Sequence, residues 1–377
     1  MNQLNQYIPG LEGVVAAKTE LSRVDGLAGE LLIGGYALES IAPTVTFEAM
    51  THLLWFGSLP DEVQLGQFSA ELAAKRDLPA LSLALLEQTA AYQPTTMDAL
   101  QIVLSTIDVD RNDASINIDN QSVGQHIMAR IPTIIAAYWR LKHNLMPVAP
   151  DSTLSHAANF LYMLTGDPPS DAKTRGLETY LNTVVDHGLN ASTFTARVII
   201  STESDLLSAV LGAIGALKGR LHGGAPGPAL DTVFEIGSED RIEPVLRAKL
   251  DAGERLMGFG HRVYKVYDPR AVVLANAAEK MYAADGDMAL YQLAKLVEVK
   301  ALDLLAEYKP GRNLQTNVEY YTALLLHGLG LDSELFTPIF AMARTVGWIA
   351  HCFEQLQHGR LIRPKAAYIG QRRTLAA

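Results

Sequence analysis

Apolar residues recur at three- and four-residue spacing along most of the chain. Leu206, Leu207, Val210, Leu211, Ile214 and Leu217 trace one buried helical face. Leu81, Leu83, Leu85 and Leu86 do the same less regularly. Period-two alternation is confined to the start. There, residues 10–15 and 30–33 flank the polar run 22–29 and predict a small β-ribbon ahead of the first helix. The remainder reads as many short helices punctuated by Gly, Pro and Asp, with no fixed-period repeat and no low-complexity tract. Glycines and prolines crowd residues 218–229 directly after a strong helix, so the chain turns there, and a second break falls at 308–317. The segment between these breaks has the size of a small domain, and ligand sites favour the gap between domains.

Composition narrows the function more than the fold. With 377 residues, 49% apolar and 19% charged, the chain can bury a sizeable core in one large domain or two ordinary ones. A net charge of −10 argues against nucleic acid or an anionic membrane as the main partner, and makes any local cluster of arginines more notable. The single cysteine, Cys352, permits no internal disulfide and no CxxC motif, which suits a reducing cytoplasm. Residues 1–6 lack the basic and apolar regions of a secretory signal. The most apolar windows, 206–217 and 335–349, are too short or too charged to cross a bilayer.

The candidate chemistry sits at or just outside the two breaks. In Gly258-Phe259-Gly260-His261-Arg262-Val263-Tyr264-Lys265-Val266-Tyr267-Asp268-Pro269-Arg270, a glycine-flanked histidine stands among three cations. His261 can exchange a proton near neutral pH, Arg270 offers a planar fork to a carboxylate, and Arg262 and Lys265 suit a phosphate-rich ligand. His222, in Leu221-His222-Gly223-Gly224, is either a helix C-cap with Gly223 in a left-handed conformation or an imidazole presented to a carbonyl group. Asn317 is a plausible N-cap, with Glu319 in the first turn behind it, where the helix dipole would keep the carboxylate ionised; Glu319 is then an ordinary first-turn acid or a base aimed into a cleft. His187 lies in a polar, glycine-containing run before a helix, where Ser192 or Thr193 could serve as caps. Arg344, inside an apolar helix, must meet an acidic side chain or bind an anion. Arg363 reads most simply as a solvated surface residue. Walker A, HExxH and GxSxG motifs are absent, and no spacing implies a metal.

These runs, in this order and spacing, resemble the citrate synthase family from Pro9-Gly10-Leu11-Glu12-Gly13 to Arg363-Pro364-Lys365. The resemblance implies an all-α, two-domain, many-helix fold, with a large domain from residues 1–219 plus 325–377 and a small one from 220–324. It implies a cytoplasmic homodimer with shared active sites, no permanently bound cofactor, and oxaloacetate and an acyl-CoA thioester as substrates. Glu319 would take a proton from the acetyl methyl group, His222 would support the thioester carbonyl, and His261 would donate to the ketone of oxaloacetate. His187, Arg270 and Arg344 would hold oxaloacetate, with Arg363 reaching in from the partner subunit. Arg262, Lys265, Lys309 and Arg312 would meet CoA phosphates. In many members the base is Asp; here Glu319 is one methylene longer. A 2-methylcitrate synthase using propionyl-CoA differs only by one methyl group in an apolar pocket. A reading of another class, an inactive helical scaffold, is disfavoured because both histidines and all three arginines are present.

Overall fold

The computed structural model describes residues 7–107, 119–223, 227–261 and 263–373. A three-stranded antiparallel ribbon opens the fold: β1 (Ser22–Asp25), β2 (Glu30–Ile33) and β3 (Tyr36–Ala37), with Ser22 opposite Ile33 and Ile33 opposite Tyr36. Helices follow as α1 (Leu38–Ile41), α2 (Phe47–Phe56), α3 (Glu62–Ala73), α4 (Ala80–Tyr92), α5 (Thr96–Leu104), α6 (Asn120–Lys142), α7 (His156–Thr165), α8 (Asp171–Val184), α9 (Ala191–Ile200) and α10 (Leu206–Leu217). After the glycine-rich break come α11 (Gly227–Ile236), α12 (Ile242–Asp251), α13 (Pro269–Asp285), α14 (Met288–Tyr308), α15 (Val318–Gly328) and α16 (Phe336–His358). No helix among the described residues is long and apolar enough to cross a membrane.

Most helices open on a Ser, Thr, Asp or Asn whose side chain accepts a first-turn amide, as Thr46, Asp119 and Asp205 do. The helix read from residues 206–217 forms with those bounds; Leu206, Val210, Ile214 and Leu217 are buried, while Leu207 and Leu211 are partly buried. In α4 the looser pattern resolves differently. Leu86 is buried, but Leu81 and Leu83 face solvent, because they lie off the stripe that Leu86 and Ala90 set. The ribbon also departs from its expected pairing. Residues 10–15 form no strand: Pro9–Leu11 is a 3₁₀ turn, and Gly10 and Gly13 take positive φ, which ends any extended run. The partner of β2 is instead β1, from within the polar run.

α16 is the axis of the molecule. It packs against α2, α5, α6, α8, α9 and α10, and is buried nearly all round from Phe336 to Cys352. α11, α12 and α14 pack among themselves and against α13 and α15, and α13 also lies on α1 and α8. This arrangement brings the C-terminus of α8 and the N-termini of α9, α13 and α15 to the flank of α16, where helix dipoles favour negative charge beside the three N-termini.

Candidate active site

Where these helix ends meet lies a cavity of about 220 Å³, lined among others by His187, His222, His261, Arg270, Glu319 and Arg344. Six of the residues singled out by sequence are therefore gathered in one place. Arg363 is exposed on the tail beyond α16 and lies outside this lining. Lys265 and Arg312 line an adjoining cavity of about 260 Å³ that shares His261. Lys309 is exposed at the C-cap of α14 and lines neither cavity, and Arg262 lies outside the described residues.

The His261 run is stitched to the segment that opens α15. Gly260 N donates to Gln315 O at 2.7 Å, Asn317 N donates to Gly258 O at 2.9 Å, and Asn317 Nδ2 donates to Gly260 O at 2.8 Å. Gly258 and Gly260 have φ of 88° and 82°, which a side chain would resist. His261 Nδ1 receives the backbone amides of Val263 and Tyr264 at 3.2 and 3.1 Å. Amides only donate, so Nδ1 is an acceptor on that side. Burial, then the charge of Arg270, pushes the pKa of His261 down to about 4, so the ring is neutral at pH 7. Its Nε2 stands 3.2 Å from Arg270 Nη2, whose N–H is directed at it, so donors face both ring nitrogens.

Arg270 is buried, and burial opposes its charge, but Asp268 outweighs that and its pKa is raised. Asp268 accepts Arg270 Nε and Nη2, each at 2.9 Å, and also accepts Val318 N at 3.1 Å. One carboxylate thus fixes both the guanidinium and the first turn of α15. His187 Nε2 lies 3.1 Å from Tyr264 Oη, and its ring meets that of His261 edge-on at 6.1 Å. Burial, followed by Arg270 and Arg344, holds His187 neutral, well below the usual histidine range.

Arg344 is 2% exposed; its Nε donates to Val184 O at 2.7 Å and its guanidinium lies 4.6 Å from the centre of the Phe340 ring. Among the described residues no carboxylate comes within ion-pair distance of it. Of the two partners expected for a buried arginine, the acidic side chain is not found among the described residues, and Arg344 lines the cavity. Burial lowers its pKa to about 10, which leaves it charged at pH 7.

His222 follows α10 in a turn, but α10 is capped at Lys218 and Gly223 is not left-handed, so the C-cap reading does not hold. Its Nε2 sits 2.7 Å from Ser192 Oγ and receives Ser192 N at 3.3 Å. With Nε2 accepting from that amide, the neutral ring carries its proton on Nδ1. Burial, then Arg344, pushes its pKa down to about 4. Ser192 was expected only as a cap. The cap is Asn190, whose Oδ1 accepts Thr193 N, while Ser192 Oγ takes Trp348 Nε1–H at 3.0 Å and braces His222.

Asn317 caps α15 as expected, its Oδ1 accepting Glu319 N at 2.9 Å. The expected effect on Glu319 is reversed, however. Burial raises its pKa, with Arg270 and Arg255 pulling back only in part, so desolvation outweighs the helix dipole. A buried carboxylate of raised pKa is the stronger base. The cavity therefore holds three neutral imidazoles, one buried carboxyl group of raised pKa and two buried guanidinium groups.

The family model described as "Citrate synthase, C-terminal domain" matches residues 10–365. The citrate synthase of Haloferax volcanii is 41% identical over 373 residues, covering 96% of each chain. The citrate/2-methylcitrate synthase of Bacillus subtilis is 37% identical over 376 residues, covering 99% of each. Among solved structures, the ternary complex of citrate synthase from Thermoplasma acidophilum with carboxymethyl coenzyme A and oxaloacetate superposes with a TM-score of 0.85 at 29% identity, covering 98% of this chain and 97% of that one.

Proposed function

The chain belongs to the citrate synthase family, and we propose that it condenses acetyl-CoA with oxaloacetate and hydrolyses the resulting thioester to citrate and CoA. The observation that carries this reading is the convergence of His222, His261 and Glu319 with His187, Arg270 and Arg344 on one cavity. Arg270 and Arg344, with His187, hold the two carboxylates of oxaloacetate. Glu319 takes a proton from the acetyl methyl group while His222 Nδ1–H supports the thioester oxygen as charge develops. The new carbon nucleophile attacks the ketone, the C–C bond forms, and His261 delivers its ring proton to the ketone oxygen. Water then cleaves the C–S bond, which releases the CoA thiol and leaves a carboxylate.

The cations lining the adjoining cavity, Lys265 and Arg312, support it as the path of the CoA phosphates, with Arg262 and Lys309 as further contacts. CoA is a co-substrate, and no permanently bound cofactor enters the reading. We assign residues 1–219 plus 325–377 to a large domain and 220–324 to a small one, with the cavity between them. Exposed Leu361, Tyr368 and Ile369 around Arg363 support a homodimer in which that arginine reaches the partner's cavity. The lone buried thiol of Cys352 supports a reducing, cytoplasmic setting.

A second reading, 2-methylcitrate synthesis from propionyl-CoA, is favoured by the name of the Bacillus relative. The test is a steady-state comparison of acetyl-CoA and propionyl-CoA with oxaloacetate, following thiol release and product mass. Citrate and CoA in equal amounts, with the higher kcat/KM for acetyl-CoA, is the expected result. A higher value for propionyl-CoA would favour the second reading, and no product from either would leave only a scaffold.

A further inference from the structure

Arg344, Gly347 and His351 are spaced three and four residues apart on α16, so they form one stripe. That stripe seats residues 184–188, the end of α8 that carries His187. Arg344 Nε takes hold of Val184 O at 2.7 Å. At Gly347 a Cβ would stand 2.4 Å from Val185 O and 2.9 Å from Asp186 Oδ1, so only glycine admits the loop this close. His351 Nε2 lies 3.2 Å from Asp186 Oδ1; the pair is off the hydrogen-bond line, and neither atom has another hydrogen-bond partner. Both residues are fully buried.

The far side of His351 fixes its proton. Arg197 Nη1 approaches His351 Nδ1 at 2.9 Å, and a guanidinium only donates, so Nδ1 accepts and the proton of the neutral ring lies on Nε2, toward Asp186. Arg197 is held in turn by Glu354 at 2.6 Å and Gln355 at 3.2 Å. Asp186 Oδ2 accepts Ser22 Oγ and also Gly188 N at 3.3 Å. The carboxylate thus clasps the chain on both sides of His187 and ties it to β1.

We propose that His351 and Asp186 are positioning residues for oxaloacetate: the Nε2–H edge of His351 attracts the Asp186 carboxylate at 3.2 Å, and Asp186 holds the 184–188 loop so that His187 and Arg344 meet the substrate carboxylates. The inference rests on the oxaloacetate reading above. Neither residue lines the cavity of Lys265 and Arg312, so disturbing the pair affects one substrate and spares the other.

The test compares His351→Asn with His351→Gln. Asn offers an oxygen near Nδ1 but no donor toward Asp186, whereas Gln keeps an N–H near the Nε2 position. His351→Asn should raise the oxaloacetate KM about fivefold or more, the scale of one ordinary polar contact. It should leave the acetyl-CoA KM within about twofold, and His351→Gln should stay within about threefold of native for both substrates. Equal changes in both KM values, an unchanged oxaloacetate KM in His351→Asn, or a Gln variant as poor as Asn would overturn the proposal. If His351→Asn does not fold, Gly347→Ala serves. Helix propensity favours that change, yet its Cβ must displace Asp186, so the same selective rise is expected and an unchanged oxaloacetate KM overturns the proposal. Failure of the underlying function is distinguishable, because the native protein itself would then show no oxaloacetate binding by calorimetry.

Discussion

Glu319 shows how far a single residue can be read. Its place behind an N-cap was legible, because Asn followed two residues later by an acid and then an apolar run is a local signal. Its raised pKa was not, since burial comes from distant segments. The bond from Trp348 to Ser192 was missed for the same reason: it spans 156 residues. Glu319→Asp tests whether the backbone has adapted to the longer side chain. The turn is anchored through Asn317 to Gly258 and Gly260, and through Val318 to Asp268, so it cannot advance to offset the lost methylene. A retreat of about one ångström should lower kcat by roughly ten- to a hundredfold. A rate equal to or above native would show a tolerant site. The carboxylate also has a stability signature. A carboxyl whose folded pKa is raised binds protons more readily when folded, so ionising it costs stability as pH rises through the window above its ordinary value. Glu319→Gln should therefore melt above the native protein at pH 7.5 and lose that advantage at pH 4.

Among the elements, legibility followed periodicity. α10 formed where six apolar residues marked it, because a repeated stripe needs no knowledge of its partners. The ribbon was half right: alternation picked out β2, but pairing is a tertiary fact, and residues 10–15 lacked a partner. The His261 run could be recognised as a site from its glycines, though not its attachment to α15. Gly258→Ala probes that attachment. The new Cβ would meet Tyr320 Cδ2 at 2.8 Å, and the positive φ alone costs about 1–2 kcal/mol. Tyr320 is buried and its hydroxyl donates to Ala294 O at 2.6 Å, so the ring cannot easily give way. Urea unfolding should show at least that loss, with kcat reduced under conditions where the variant remains folded. Native kcat in the folded variant would mean that His261 does not depend on this seam.

At the scale of the molecule, the convergence of helix ends on α16 was invisible to sequence, because it depends on pairings between segments far apart in the chain. The burial it creates gives the fold a pH dependence. His187, His222 and His261, and His156 beside Phe47 in the body, all have lowered pKa values; burial, then Arg76, takes His156 to about 3. The unfolded chain therefore binds protons first, and stability, complete above about pH 6.5, is lost as pH falls from there toward the folded values. His156→Phe removes one such group, so its thermal midpoint should gain on the native protein between pH 7 and pH 5. Parallel curves would exclude His156 from the acid transition. The central claim is that one cavity carries the whole proton traffic of a condensation, with Glu319 as the base. The most direct measurement is exchange of the acetyl-CoA methyl protons with deuterated solvent, in native protein and in Glu319→Gln, alongside calorimetry with oxaloacetate. The account predicts exchange and citrate formation in the native protein, and loss of both in Glu319→Gln with oxaloacetate still bound. Native-like exchange in Glu319→Gln would contradict it, because the base would then be another residue.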